Sequence, residues 1–163
     1  MNKIFIYTDG ACTGNPGPGG YGVVMELENS TYKKELSEGY RMTTNNRMEL
    51  LAVIVGLEQI KIPNSKIVVV SDSKYVVDAV NLKWIFGWVK KNFKDVKNPD
   101  LWKRFLVIFN QHQVTMQWIK GHNMHTQNER CDFLAVQATR KPNLLIDKAY
   151  EESKKTPLNN PKS

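Results

Sequence analysis

The sequence predicts an α/β fold: a five-stranded mixed sheet, three antiparallel strands plus two parallel, flanked by helices. Three observations carry this. Over residues 3–41 apolar side chains alternate with period two between turn signals, the mark of an antiparallel meander with one covered face. From residue 45 the apolar spacing becomes that of a helix. Further on, "KIVVV" is a continuous apolar run bounded by turn residues, as a buried parallel strand requires. A chain of 163 residues, 41% hydrophobic, makes one domain able to bury a core without disulfides or structural metal.

Taken in order, "KIFIYTDG" is the first strand, "GYGVVMELE" the second and "YKKELSEGYR" the third, with a short connection at Asn29 and Ser30. "NNRMELLAVIVGLEQIK" follows as a helix apolar nearly all round, hence buried against the sheet. "KIVVV" is the fourth strand and "SKYVVDAV" opens the next helix. The chain to about Gln111 reads as helical in parts, broken near Asn98 and Pro99, before "VTMQWI" as the fifth strand. "QNERCDFLAVQATR" is the last predicted helix, with Thr126 as its cap and Glu129 three residues on. From Pro142 onward, three prolines, adjacent asparagines and several lysines predict a loosely ordered tail over 142–163.

Glycines 17, 19 and 22 fit the G-x-G-x-x-G spacing of dinucleotide-binding loops, which requires a helix to open at the glycines. Here "GVVMELE" continues as a strand, so the stretch is strand, turn, strand, and a nicotinamide or flavin enzyme is disfavoured. No apolar run reaches membrane-spanning length, and the start lacks the long apolar core of a secretory signal, so a soluble, cytoplasmic monomer is expected. Cys12 and Cys131 match no zinc spacing and are expected as reduced thiols. The formal net charge of +7 suits a polyanionic partner.

Four carboxylates stand out. Asp9 ends the first strand, Glu49 lies in the first turns of the long helix, Asp72 ends the fourth strand and Asp132 sits early in the last helix. Each has an ordinary structural explanation: a turn residue for Asp9, a capping box of Asn46 with Glu49, a helix cap for Asp72, a helix-dipole partner for Asp132. Their conjunction says more, because the first and fourth strands are expected side by side and parallel, ending on the same sheet edge. Asp132 shares a helix face with Asn128, Cys131, Ala135 and Ala138, small side chains that allow close approach to the sheet. Converging carboxylates repel, so a fold keeps them by raising pKa values or by binding hard cations. Oxygen-only ligands favour Mg2+, with Mn2+ as a substitute, over zinc. In a basic protein this suits phosphodiester hydrolysis by two metal ions about 3.5–4 Å apart. His122 in "KGHNMH" lies on the loop before the last helix, as either a proton shuttle or a structural loop histidine; His125 is read as structural.

The stretches "TDGACTGNPGPGGYG", "TTNNRMELLA", "SDSKYV" and "KGHNMHTQNERCDFLA", in this order from Thr8 to Ala135, resemble those of type 1 ribonucleases H of the bacterial form. The resemblance implies a ribonuclease H-like fold over 1–141. It also implies cleavage of the RNA strand of RNA/DNA hybrids, leaving 5′-phosphate and 3′-hydroxyl ends, with magnesium. It puts Asp9, Glu49, Asp72 and Asp132 on the metal-binding acids and His122 on the catalytic-loop histidine. The 2′-hydroxyl, donor and acceptor at once, distinguishes RNA from DNA, and Asn15, Asn45 and Asn46 suit its readout in a minor groove. The resemblance points to the same asparagines and to Cys12, and puts Thr44 in a phosphate pocket for the DNA strand, with Asn98 reaching the same backbone.

Residues 83–104 resemble the family's basic protrusion. They hold seven basic residues against two acids and three of the four tryptophans. Trp84, Trp88, Lys90, Lys91 and Lys94 are the expected backbone contacts, with the alternative that the tryptophans form the protrusion's own core and the lysines a solvated face. Two features depart from the family pattern: Met42 stands where relatives often carry arginine, and the protrusion is several residues shorter. No hybrid-binding domain precedes the first strand, so a stand-alone enzyme is expected. The rival readings are a DNA-cleaving nuclease on the same sheet and a non-catalytic hybrid-binding module.

Overall fold

The computed structural model describes residues 2–121 and 125–155. Strands β1 (Ile4–Cys12), β2 (Gly17–Leu27) and β3 (Lys33–Thr43) form the antiparallel meander. Helix α1 (Asn45–Glu58) then crosses to β4 (Lys66–Ser71), which pairs parallel with β1. Helices α2 (Lys74–Asn81), α3 (Trp84–Lys90) and α4 (Pro99–Phe109) precede β5 (Gln113–Trp118), which pairs parallel with β4. Helices α5 (Thr126–Ala138) and α6 (Lys148–Lys155) complete the described chain. The sheet order is β3-β2-β1-β4-β5, the mixed sheet expected from the sequence. No described helix is long and apolar enough to cross a membrane.

Alternation along β2 sends its residues to two different helices. Val23 faces α1, where the main core of Ile6, Val53, Ile54 and Leu57 is fully buried. Gly20 and Gly22 face α5, and a Cβ on Gly22 would collide with the Cys131 carbonyl. The small residues Cys131, Ala135 and Ala138 bring the α5 backbone this close, and the Cys131 thiol donates to the Tyr7 carbonyl at 3.1 Å. Helix α1 is buried almost all round, from Arg47 to Leu57, as its apolar composition requires. The glycines at 17, 19 and 22 all lie in β2.

The helix caps differ from those expected. Thr44, not Asn46, caps α1, its Oγ1 accepting from the Arg47 N–H at 3.2 Å. Ser73, not Asp72, caps α2, and His125, not Thr126, caps α5 through its Nδ1. In each case a neighbouring side chain has the extended backbone that aims an acceptor at the first turn.

The tail expectation also needs correction, because residues 142–155 are ordered. Leu145 bridges to Tyr40 of β3, α6 follows, and Arg41 grips Glu151 through two hydrogen bonds of 2.9 Å. Long-range ion pairs, invisible to local composition, hold the segment. Both cysteines are free thiols, as expected.

Candidate active site and nucleic-acid groove

Parallel pairing of β1 with β4 sets Thr8 opposite Ser71, so Asp9 and Asp72 emerge together at the same sheet edge. Glu49 arrives from α1, whose backbone packs against Gly10 so tightly that any Cβ there would meet the Glu49 amide. One carboxylate oxygen from each of Asp9, Glu49 and Asp72 lies within 4.8 Å of the others. Asp132, half-buried on α5, lies near enough for its charge to act on Asp9.

Asp9 and Glu49 are buried, at 5% and 7% exposure, and among the described residues no cationic side chain offsets them. Burial, then the charges of Asp72 and Asp132, pushes the Asp9 carboxyl up to about 8, against a smaller opposing contribution from the Gly10 N–H at 3.0 Å. Burial, then Asp9 and Asp72, holds Glu49 well above the usual carboxylate range. Glu49 Oε1 is buried without a hydrogen-bond partner. Hard oxygen donors, excess negative charge and an unsatisfied buried oxygen fit divalent cations of the magnesium type.

Near Asp72 the chain is tightly built. Its carbonyl accepts from the Trp118 indole at 3.1 Å, and Lys74 lies over the Trp118 ring. Gly121 packs against the Asp72 carboxylate, where a Cβ would sit 2.6 Å from Oδ2. His122, the expected loop histidine, lies outside the described residues.

A groove of about 900 Å3 opens at the start of α1, lined by Asn15, Met42, Thr44, Asn46, Asn98 and parts of α6; none of the four site acids lines it. Asn15 accepts from the Asn45 N–H at 3.0 Å, joining two of the expected readers of the 2′-hydroxyl. Asn46 is exposed, whereas Cys12 is half-buried and its thiol is directed at the Gly17 and Thr43 carbonyls. Asn98 begins α4 in the left-handed conformation and donates to the Tyr75 hydroxyl at 2.9 Å. The protrusion residues separate: Trp84 is 48% exposed, but Trp88 packs edge-on against the buried Trp102 at 5.2 Å. Lys90, Lys91 and Lys94 are exposed.

Sequence reasoning missed Arg47. It is 3% exposed, and its guanidinium grips Asp100 at 2.9 and 2.7 Å and Asp147 at 2.7 and 2.9 Å, with a further bond to Asn98. Burial opposes its charge, but the bonds to Asp100 and Asp147 outweigh burial and raise its pKa. Thr43 adds a 2.7 Å hydrogen bond to Asp147. The available signal was the one cation in a helix that is buried almost all round.

The RNase H family profile matches residues 1–140. The chain is 53% identical over 154 residues to a ribonuclease H of Trichodesmium erythraeum, covering 91% of this chain and 96% of that one. The crystal structure of LC9-RNase H1, a type 1 RNase H with the type 2 active-site motif, superposes with a TM-score of 0.78 at 31% identity, covering 94% of this chain and 81% of that one. LC11-RNase H1, solved in complex with an RNA/DNA hybrid, gives a TM-score of 0.60 at 28% identity, covering 90% and 99%. The fold, the sheet-edge acids and these likenesses agree, and the chain belongs to the ribonuclease H family as a type 1 enzyme.

Proposed function

We propose that the protein is an endoribonuclease that hydrolyses the RNA strand of RNA/DNA hybrids with two bound Mg2+ ions, leaving 5′-phosphate and 3′-hydroxyl ends. The observation that carries this reading is the convergence of Asp9, Glu49 and Asp72 within 4.8 Å at one sheet edge. The likeness to LC11-RNase H1, solved with a hybrid, supports the substrate class.

Asp9, Glu49, Asp72 and Asp132 would hold the cations. When bound, these supply a Lewis acid that activates water and another that stabilises the leaving oxygen. The protein's own residues do the rest. Asp9 and Asp72 come from the sheet edge and Glu49 and Asp132 from packed helices, which fixes where the cations, and with them the reacting phosphodiester, would be held. Asn15, Asn45 and Asn46, with the backbone around Cys12, offer donors and acceptors to the 2′-hydroxyls and so select the RNA strand. Thr44 and Asn98 anchor the DNA strand's backbone. Trp84, Lys90, Lys91 and Lys94 hold the hybrid further out, with Trp88 supporting them from the protrusion's interior. His122 exchanges a proton through its imidazole during turnover or product release. Residues 1–141 form the catalytic domain, which works as a monomer in the cytoplasm; the family match over 1–140 supports this extent.

The test uses end-labelled RNA/DNA, RNA/RNA and DNA/DNA duplexes with magnesium or chelator. Magnesium-dependent cutting confined to the hybrid's RNA strand is expected. Cutting of DNA would favour the DNA-cleaving reading, and binding without cutting the binding-module reading.

A further inference from the structure

The groove beside α1 takes part of its wall from a segment that lies far along the chain. Leu145 pairs with β3, Asp147 is locked to Arg47, and Glu151 is gripped by Arg41. These contacts fix the rotation of α6. The face carrying Tyr150, Ser153 and Lys154, spaced as neighbours on a helix surface, is thereby turned into the groove. Thr44 and Asn46 at the start of α1, and Lys97 of the protrusion, line the same groove.

The groove's charges are uneven. Arg47 is shared between Asp100 and Asp147, so this cluster keeps one net negative charge at the groove wall. On β3, Met42 contributes an exposed apolar side chain, and the adjacent cation, Arg41, is engaged by Glu151. Among the described residues neither Lys97 nor Lys154 forms an ion pair. Lys154 rests over the Tyr150 ring, 5.2 Å from Nζ to the centroid, and that ring is also 6.0 Å from the Arg47 guanidinium. A chain of contacts from α1 through Tyr150 therefore supports an ammonium whose charge is still available. Two uncommitted cations lining an open groove with hydroxyl and amide donors match a phosphodiester backbone.

We propose that α6 is part of the nucleic-acid surface and that Lys154, with Lys97 in the same groove, anchors a non-scissile backbone phosphate of the bound duplex. Lys154 supplies from the C-terminal helix the cation that β3 lacks at Met42. The inference rests on the hybrid-cleaving function proposed above and adds a binding residue to it.

The experiment compares the full-length protein with Lys154→Gln, Lys154→Arg and, as a control on the same helix, Lys155→Gln. Hybrid binding is measured in chelator from 50 to 200 mM salt, and steady-state cleavage in magnesium. Removing one phosphate anchor lowers the salt slope by about 0.9, so the affinity gap between wild type and Lys154→Gln shrinks by about 3.5-fold over that range. KM rises more than kcat falls in Lys154→Gln, Lys154→Arg restores both, and Lys155→Gln has the smaller effect. Single methylphosphonate substitutions then locate the anchored phosphate: one position weakens binding by the wild type and leaves Lys154→Gln unaffected. If wild type cuts the hybrid and Lys154→Gln matches it in KM, salt slope and methylphosphonate profile, Lys154 is not an anchor. If wild type neither binds nor cuts the hybrid, the functional reading itself fails and the anchor falls with it.

Discussion

Arg47 and Glu49 lie two residues apart on one buried helix, and the fold treats them in opposite ways. Arg47 is surrounded by partners, Asp100, Asp147 and Asn98, that satisfy its guanidinium from three sides. Glu49 faces two further acids and keeps a buried oxygen without a partner. A buried charge costs several kcal/mol unless paired, so the first arrangement is what structure alone demands. The second is one a stable metal-free protein has no reason to keep. Self-sufficiency marks the Arg47 cluster as architecture, and unmet demand marks the Glu49 cluster as a place for something that binds.

The largest expected effect tests that contrast directly. Asp9→Asn should lower magnesium-dependent cleavage by at least about a thousand-fold, beyond the effect of removing a single stabilising donor. It should at the same time stabilise the metal-free protein by more than about 1.4 kcal/mol, the equivalent of one pKa unit, by relieving repulsion. Cleavage assays and urea denaturation in chelator measure the two. Retained cleavage would remove Asp9 from the site. Arg47→Ala should do the reverse to the fold, costing about 3–5 kcal/mol because Asp147 is left buried and unpaired. A cost below about 1 kcal/mol, the range of solvent-exposed ion pairs, would show that the network contributes little to stability.

A pH series separates the clusters by sign. In the metal-free protein the Asp9 carboxyl sits at about 8, against about 3.9 in the unfolded chain. Between these values the folded state holds a proton that the unfolded state has released, so the stability contributed by this group is greatest below about pH 4 and falls as pH rises towards 8. Asp9→Asn should flatten that fall, and magnesium should raise stability more at pH 8 than at pH 5. Thermal melts with chelator and with magnesium read this out. A stability that instead rises across the window in wild type and variant alike would contradict the raised carboxyl.

The sheet and its edge acids were legible because they follow from local pattern. Alternation set the meander and "KIVVV" set the parallel strand. Asp9 does not end β1, which runs on to Cys12, and it is the end of the β1–β4 pairing at Thr8 and Ser71 that fixes where Asp9 and Asp72 emerge. Caps were harder, since Thr44, Asn45 and Asn46 are all capable cap residues and only backbone angles select Thr44. Ordering of residues 142–155 was not legible. It depends on Arg47 and Arg41 meeting Asp147 and Glu151 from at least a hundred residues away, and composition carries no trace of such partnerships. Trp84 and Trp88 look alike in sequence, and only the position of Trp102 makes one of them core.

Exposed lysines give the smallest expected effect and the finest test of the same contrast, since they are neither satisfied like Arg47 nor buried like Glu49. Lys90, Lys91 and Lys94 stand on the protrusion in solvent, and no ion pair among the described residues involves them. Changing all three to glutamine should leave stability within about 0.5 kcal/mol, the usual range for surface substitutions. It should lower the salt slope of hybrid binding by about 0.9 for each phosphate no longer neutralised, and so by at most about 2.7. Titrations from 50 to 200 mM salt in chelator measure the slope without interference from cleavage. A reduced slope with unchanged stability would identify the protrusion as a docking surface whose charge is held in reserve for a ligand, as the acids' is. An unchanged slope would leave the protrusion's charge to solubility alone, with docking carried by the groove beside α1.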